Sequence, residues 1–412
     1  MKSLSRLDSA TALKTFFHME RAITIACAAW VPVVARMETK AELARTSWES
    51  SRTAEALRQR VFELRYPERD LAVDETANAI AAFESVLHAP APRSFLRATG
   101  EVLCGVLERA YLAYLDSSDV IADGPTFRFL RQAIQEKHRQ RKTLARAIPY
   151  EQSNEDGWYE EFASVFREPM QDLTAVGPTP ESRSRYAIPD DPGRDPRYFP
   201  CTFYWPDNFD PDHPYGDGLR LKVRSAVSHI NEVWATDTAG AILYAFADGL
   251  GWDFVLDAAR WVYDESRHMT MGQRRLRAWR IPDKEVPLGK YIYQAAAGQG
   301  PLHLLGMLAY FETKNIGKKV ERAEEFGRLG DELSKRDMEF DWADEAIHAG
   351  YGRTWLRRAV ELEGRDAGAW DEVVKECEEL VATKVAQATD EEKSTIRAQA
   401  ERVMELASKG TA

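Results

Sequence analysis

The chain has 412 residues, of which 44% are hydrophobic and 29% are charged, and its formal net charge is −11. This length allows two or three domains with a large core, and the composition is ordinary for a globular protein. The acidic balance argues against general nucleic-acid binding, and no apolar run reaches the roughly 18–20 residues that a membrane-spanning helix needs.

The compartment is predicted from the cysteines and the first residues. The four cysteines are far apart and form no Cys-x-x-Cys pair, which favours a reducing environment without a disulfide framework. The opening sequence MKSLSRLDSATALKTFF lacks the charge, apolar run and small-residue cleavage site of a signal peptide. We therefore expect a cytoplasmic protein with neither a membrane nor a nucleic acid as partner.

The first 150 residues are predicted to be helical. Alternating β-branched runs closed by Asn-Gly or Gly-Gly are absent, so the strand signal is missing. Helix-like periodicity or composition covers the stretches 11–36, 38–64, 72–88, 92–115 and 125–147. A short acidic and aromatic helix is predicted over 155–167.

Residues 177–218 are predicted to form an irregular connector. They hold most of the Pro-Asp and Pro-Arg pairs together with many aromatic side chains. The segment is too long for a plain linker and too aromatic for disorder, so we expect it to pack on the helices. We interpret it as an ordered strap between two bundles, with a lid or cavity wall as the alternative.

Helices are predicted to resume at residue 219. The expected helical stretches are 223–247, 252–271, 288–316, 321–336 and 339–362, followed by one or two amphipathic helices over 367–408. The sequence Gly-Gln-Gly-Pro at 298–301 predicts a kink or a restart within the third stretch.

The motif Asp-Glu-x-x-His occurs twice in this second half, from Asp264 to His268 and from Asp344 to His348. Residues three apart share one face of a helix, so the Glu and His of each copy project together. A carboxylate and an imidazole placed in this way form the half-site from which helical bundles build paired metal centres. The recurrence makes the signal much stronger than one match.

Two further glutamates complete a pattern of six ligands. Glu232 precedes Glu265 by 33 residues, and Glu312 precedes Glu345 by the same interval. This interval fits two antiparallel helices of about 20 residues and a short turn. The predicted metal ligands are therefore Glu232, Glu265, His268, Glu312, Glu345 and His348.

The order of these ligands resembles the ferritin-like superfamily of di-iron carboxylate proteins. Within it, the Asp-Glu-x-x-His form looks most like the bacterial multicomponent monooxygenases. The resemblance covers about residues 220–360 and implies an all-α fold with a ferritin-like four-helix bundle. It also implies that Asp264 and Asp344 hydrogen-bond the ligating imidazoles.

Three more residues near the pattern are candidates. Thr236 lies one helical turn after Glu232 among small residues, and its hydroxyl could donate a hydrogen bond to a bound oxygen species. Asp341 shares the face of Glu345 and is a candidate extra ligand. His229 also faces inward, although a hydrogen-bonded core role is favoured for it over ligation.

The first half carries a fainter copy of the same spacing. Glu20, Glu49, Glu108 and Glu136 are separated by 29, 59 and 28 residues, and Arg52 and Arg139 stand where the second half has histidine. We predict an internal duplication whose first copy has lost its metal site, with the arginines neutralising the buried carboxylates. Chance alignment of Glu-rich helices is the alternative.

These patterns predict four segments. They are a degenerate ferritin-like bundle over 1–175, the connector over 176–218, a di-metal bundle over 219–365 and a helical extension over 366–412. We expect the extension to form an outer layer or an oligomer contact, which allows a homodimer.

Four carboxylates and two imidazoles suit a pair of divalent first-row metals, and the lack of thiolate favours two iron ions, two manganese ions or a mixed pair. The leading hypothesis is a non-haem di-iron oxidase or oxygenase that uses O₂ to oxidise a small organic substrate, with an external electron donor where turnover needs one. An iron-handling ferroxidase and a metal-stabilised structural or binding protein are the alternatives.

Overall fold

The computed structural model describes residues 4–67, 77–151, 157–166 and 185–410. Nearly all regular structure in these ranges is helical, which confirms the predicted all-α class. Every helix in these ranges is too short or too polar to cross a bilayer.

The chain divides into two compact units. The first comprises Met1–Trp30 and Glu42–Ile188, and the second comprises Val31–Ala41 and Pro189–Ala412. The four predicted segments remain a prediction.

Seven helices are described up to residue 166. They are α1 (Arg6–Trp30), α2 (Met37–Glu63), α3 (Ala77–Ser85), α4 (Pro92–Arg97), α5 (Cys104–Ser117), α6 (Gly124–Ala147) and α7 (Trp158–Ser164). The π-helical segment Ala98–Leu103 divides the predicted helix 92–115. The first residues of the predicted helices 72–88 and 155–167, and the end of the latter, lie outside the described ranges.

A buried polar cluster lies among α1, α2, α5 and α6 in the first unit. The Lys137 ammonium is 2.6 Å from one carboxylate oxygen of Glu20, and the Tyr111 hydroxyl donates to the other at 2.6 Å. Glu49 on α2 is paired with Arg139 on α6. Each buried carboxylate in the cluster thus has a cationic partner, which offsets the cost of its burial.

The predicted role of Arg52 is wrong, because its side chain is exposed. Glu108 and Glu136 also stay nearer the surface, where they contact Arg141 and Gln132. The charge that neutralises Glu20 comes instead from Lys137, the residue after Glu136. Neighbouring residues on a helix point about 100° apart, so an offset of one residue moves a side chain to another face.

The second unit contains the remaining helices. They are α8 (Gly218–Asn231), α9 (Val233–Phe246), α10 (Trp252–Ala278), α11 (Tyr291–Ala296), α12 (Pro301–Arg328), α13 (Glu332–Leu362), α14 (Trp370–Ala386) and α15 (Asp390–Gly410). The α8–α9 pair packs on α10, α10 on α13, α13 on α12, and α12 back on α9. The outer helices α14 and α15 pack on α12 and α8.

Three departures from helical backbone geometry set the ends of these helices. The predicted helix 223–247 is divided at Glu232, whose ψ of 1° departs from helical geometry. The predicted restart near 298–301 is confirmed, because Gly298 and Gly300 have positive φ and Pro301 begins α12. The predicted helix 321–336 is wrong, because Gly330 has a φ of +67° and Asp331 caps a new helix.

The backbone of α8 lies against α10 at Gly272. A Cβ atom at this position would lie 2.2 Å from the backbone nitrogen of Ile230, a distance that no side chain can occupy. The absence of a side chain at residue 272 therefore sets the separation of the two helices one turn beyond His268.

The described part of the connector buries several aromatic side chains, as its predicted packing on the helices requires. Tyr198, Phe203 and Trp205 are each at most 3% exposed. The short connector strand β1 (Phe199–Pro200) pairs in parallel with β2 (Pro287–Leu288), which lies between α10 and α11. The connector residues 177–184 lie outside the described ranges.

Candidate metal centre

The six predicted ligands converge inside the second unit. Glu232 comes from the α8–α9 junction, Glu265 and His268 from α10, Glu312 from α12, and Glu345 and His348 from α13. Ligand atoms of Glu265, Glu312, Glu345 and His348 all lie within 4.8 Å of one another. The same holds for Glu232, Glu265 and His268, and for His268, Asp341 and Glu345. The structure therefore contains a carboxylate and histidine cluster that could bind metal.

Two glutamates are shared between the group that contains His348 and the groups that contain His268. Glu265 belongs both to the group with His348 and to a group with His268, and so does Glu345. Two metal positions side by side would thus have Glu265 and Glu345 between them. Oxygen and nitrogen donors of this kind suit divalent first-row ions.

Each of the two predicted ligand histidines turns one ring nitrogen toward the glutamates of the cluster and the other toward an aspartate of the Asp-Glu-x-x-His motifs. His268 Nδ1 is 3.5 Å from a Glu265 oxygen, and His268 Nε2 is 3.2 Å from Asp344. His348 Nδ1 is 3.0 Å from Glu265, and His348 Nε2 is 3.5 Å from Asp264. The aspartate of each motif therefore faces the histidine of the other motif, across the α10–α13 interface.

Two arginines on α10 hold these aspartates in place. Arg267 Nη1 is 2.6 Å from Asp264 and 2.9 Å from Asp344, and Arg260 contacts the same two carboxylates. Each aspartate thus has fixed cationic partners on one side and an imidazole on the other. The sequence analysis missed both arginines, although Arg260 lies one helical turn before Asp264 and Arg267 lies within the first motif.

Lys319 on α12 is a buried cation inside the cluster that sequence analysis also missed. Its Nζ is 2.7 Å from Asp341 and 2.8 Å from Glu345. Lys319 follows Glu312 by seven residues, which is two helical turns and the same face. That spacing is the signal that could have revealed it.

His229 is a hydrogen-bonded core residue in this arrangement. Its Nδ1 lies 2.6 Å from a guanidinium nitrogen of Arg275, and its Nε2 lies 3.1 Å from Asp341. A guanidinium can only donate, so Nδ1 accepts and Nε2 carries the proton that faces Asp341. Burial, followed by the charge of Arg275, lowers the pKa of His229 to about 3, which keeps the imidazole neutral.

The carboxylates of the cluster differ in their electrostatic surroundings. Burial raises the pKa of Glu232 well above its usual value. Burial and then the charges of Glu345 and Glu265 raise the pKa of Glu312 as well. Burial acts to raise the pKa of Asp341 too, but Lys319, His268 and His229 together outweigh it and lower the pKa well below its usual value. The cluster as a whole holds excess negative charge that divalent cations would neutralise.

Several ligand atoms have no hydrogen-bond partner within the described part of the chain. Four of them face the cluster, namely one oxygen each of Glu232 and Glu265 and the Nδ1 atoms of His268 and His348, and a fifth is His348 Nε2, which lies 3.5 Å from Asp264. Buried polar atoms are nearly always paired, and leaving one unpaired costs about 1–3 kcal/mol. Coordination of a cation would satisfy the four atoms that face the cluster, so the residues fit a metal.

Two side chains beside the cluster are already engaged with its residues. The Thr236 hydroxyl is buried and donates to the backbone carbonyl of Glu232 at 3.1 Å. The indole nitrogen of Trp261, which sequence analysis did not select, donates to Glu312 at 3.2 Å. The role predicted for Thr236 toward a bound oxygen species remains a prediction.

A cavity of about 660 Å³ adjoins the cluster. Glu232, Glu265, Glu312 and Glu345 line one part of it, and the connector lines another through residues such as Tyr204 and Tyr215. The connector thus forms part of the cavity wall, as the alternative interpretation predicts. A volume of this size accommodates a small organic molecule.

The comparison with known families gives one match. The sequence model of the family described as "Protein of unknown function (DUF455)" matches residues 174–401, which include every residue of the cluster. No curated protein matches the chain, and no solved structure matches it. The chain belongs to the DUF455 family.

Proposed function

We propose that this member of the DUF455 family is a non-haem di-iron oxidase or oxygenase that uses O₂ to oxidise a small organic molecule. The observation that carries the proposal is the pair of shared glutamates, Glu265 and Glu345, between two sets of nitrogen and oxygen donors. Shared carboxylates of this kind hold two metals close enough to act on one substrate.

The proposed fold of the second unit is a ferritin-like bundle. The ring of α8–α9, α10, α13 and α12 supports this assignment, since each member contributes an inward ligand at the predicted spacing. The Lys137–Glu20 pair supports the further proposal that the first unit is a degenerate copy. There an ammonium group supplies the positive charge that a metal would supply in the second unit.

The proposed first metal position has Glu312 and His348 as its own ligands, and the second has Glu232 and His268. Glu265 and Glu345 serve both positions, and Asp341 adds a carboxylate to the second. Two irons, when bound, supply two electrons and open positions for O₂. Manganese or a mixed pair would fit the same donors.

The protein's own residues orient the ligands and shape the cavity. Asp344 and Asp264 fix the ring orientation of His268 and His348, so that Nδ1 of each imidazole faces the centre. Trp261 holds Glu312 through its indole nitrogen. The cavity beside the glutamates gives a substrate access to the centre, which favours oxidation of an organic molecule over iron handling.

The test is metal content together with Mössbauer spectroscopy of the anaerobically iron-loaded full-length protein. We expect two irons per chain, and O₂ consumption that one small metabolite stimulates. His268→Ala should remove most of the metal, whereas His303→Ala should not, because His303 pairs with Glu376 away from the cluster.

Other outcomes separate the alternatives. Iron turnover without an organic product indicates a ferroxidase. Zinc, or no metal under iron-replete conditions, together with inertness to O₂, indicates a structural or binding role and contradicts the proposal.

A further inference from the structure

The cavity beside the metal centre is lined by polar groups that have no partner. Arg224 Nη1, the Tyr215 hydroxyl and His213 Nε2 are buried, and none of them has a hydrogen-bond partner in the described ranges. All three residues line this one cavity. Three unpaired polar atoms at one place indicate a bound polar group, because each alone is costly to leave unsatisfied.

Arg224 is the most constrained of the three. It is 5% exposed, and its Nε and Nη2 atoms donate to Asp207 at 2.7 and 2.9 Å. This pairing fixes the guanidinium plane and leaves Nη1 free to donate. A rigid guanidinium with a free edge is suited to a carboxylate or phosphate oxygen.

A second guanidinium shares the same aromatic ring. The centre of the Tyr215 ring is 4.9 Å from the Arg224 guanidinium carbon and 4.1 Å from that of Arg322. Among the described residues Arg322 has no carboxylate within salt-bridge distance, and Lys318 on the same helix has none either. Arg224 is paired with Asp207, so the charge of Arg322 is the one beside this ring that lacks a carboxylate partner within the residues that the structure describes, and a bound anion would neutralise it.

The acidic residues of the cavity do not cancel this positive charge. The four glutamates at the inner end are metal ligands under the proposed function, so bound metals offset their charge. Asp207 is paired with Arg224, and Asp212 is exposed. The outer part of the cavity therefore keeps the charges of Arg322 and Lys318.

We propose that Arg224, Tyr215, His213 and Arg322 form an anion subsite that binds a carboxylate or phosphate group of the substrate. This proposal rests on the proposed function, since it places the rest of the substrate toward the metal centre. Arg224 lies eight residues before Glu232, which is about 12 Å along a helix. The substrate class is thus a small organic anion whose oxidised atom lies about 10 Å from its charge.

The test is calorimetric titration of the 412-residue chain with charged and uncharged probes. The probes are 4-phenylbutyrate, phenyl phosphate and the uncharged 4-phenylbutyramide, each added to metal-loaded and metal-depleted protein. We expect at least one anion to bind tenfold or more tightly than the amide. The affinities for 4-phenylbutyrate and for phenyl phosphate show whether the subsite binds a carboxylate or a phosphate group.

Variants distinguish the subsite from general attraction. Tyr215→Phe keeps the ring and removes the unpaired hydroxyl, so it should weaken anion binding at least fivefold while leaving the melting temperature unchanged or higher. Arg322→Gln should weaken binding similarly. Arg328→Gln is the matched control, because Arg328 is on the same helix but contacts Glu325 and does not line this cavity.

Equal binding of 4-phenylbutyrate and its amide would overturn the subsite, as would variants that behave like Arg328→Gln. Anion binding that disappears with the metal and ignores Tyr215→Phe would also overturn it, since the anion would then bind the metal directly. Selective anion binding by a protein that holds no metal pair would leave the subsite in place and refute the proposed oxidase instead.

Discussion

His268 on α10 lies 3.2 Å from Asp344 on α13, so an aspartate of the second motif orients a histidine of the first. The reciprocal contact joins His348 to Asp264 at 3.5 Å. Sequence adjacency would suggest that each aspartate serves its own motif, but the side chains cross the helix interface. Each motif therefore contacts the other across this interface.

Asp344→Asn should keep both metals and slow O₂ uptake. The amide retains a hydrogen-bonding side chain but loses the charge that fixes the imidazole, and losses of this type are typically about 10–100-fold. The measurement is metal content together with the O₂ consumption rate. Asp257→Asn is the control, because Asp257 is on α10 and accepts from Trp355 away from the cluster. An unchanged rate for Asp344→Asn would show that orientation by this contact is unimportant.

Lys319→Met should make the second unit more dependent on metal. Without the ammonium group, Asp341 and Glu345 lose a cation at 2.7 and 2.8 Å, so the melting temperature of the metal-free protein should fall. Added metal should then raise the melting temperature more than it does in the unaltered protein. Lys335→Met is the control, since Lys335 contacts Glu339 at the surface. A smaller metal-induced rise would mean that Lys319 positions the ligands instead of substituting for metal charge.

Lys137→Met should strongly destabilise the first unit. It leaves the carboxylate of Glu20 buried without a cation, which typically costs about 3–5 kcal/mol. Arg52→Ala, at an exposed position, should stay within about 0.5 kcal/mol of the unaltered protein. Urea unfolding measures both free energies. Similar losses for the two variants would contradict the assignment of Lys137 as the buried counter-charge.

The free energy of unfolding should fall in acid because Asp195, a connector residue, becomes protonated. Burial acts to raise the pKa of Asp195, but its bonds to Arg197 and to the backbone of Met37 outweigh burial and lower the pKa below 3.8. A carboxylate whose pKa is lower in the folded protein stabilises the fold at any pH above its pKa in the unfolded chain. That contribution is lost as the pH falls through its pKa in the folded protein. Asp195→Asn should thus destabilise by about 1–3 kcal/mol at pH 6. The difference from the unaltered protein should shrink below pH 3.8 in urea unfolding, and a constant difference would exclude this origin.

The ligand positions were predictable because helical periodicity is a local property. Glu265 and His268 share a face wherever the helix lies, and the 33-residue intervals constrain the partner helices. Lys319 obeys the same periodicity, but a lone lysine gives no reason to suspect burial. Its role depends on the approach of α12 to α13, which no local pattern encodes.

The errors in the first half have a similar cause. Residue counting places Arg52 where the second half has a histidine, yet the side chains of successive helical residues point to different faces. The buried cation proved to be Lys137, one residue after the aligned Glu136. The unpaired atoms of Arg224 and Tyr215 were equally hidden, because they are defined by tertiary contacts that leave them unsatisfied.

The close approach of α8 and α10 at Gly272 constrains the distance between ligands of the proposed metal centre. A methyl group added at residue 272 would push α8 away from α10. Glu232, which follows the last residue of α8, would then move away from His268 on α10. Metal–ligand bonds tolerate deviations of only about 0.2 Å, so a displacement of that order is enough to separate the halves of the site. Gly272, which has no side chain to act as a ligand, would thereby determine whether the proposed centre can hold two ions or one.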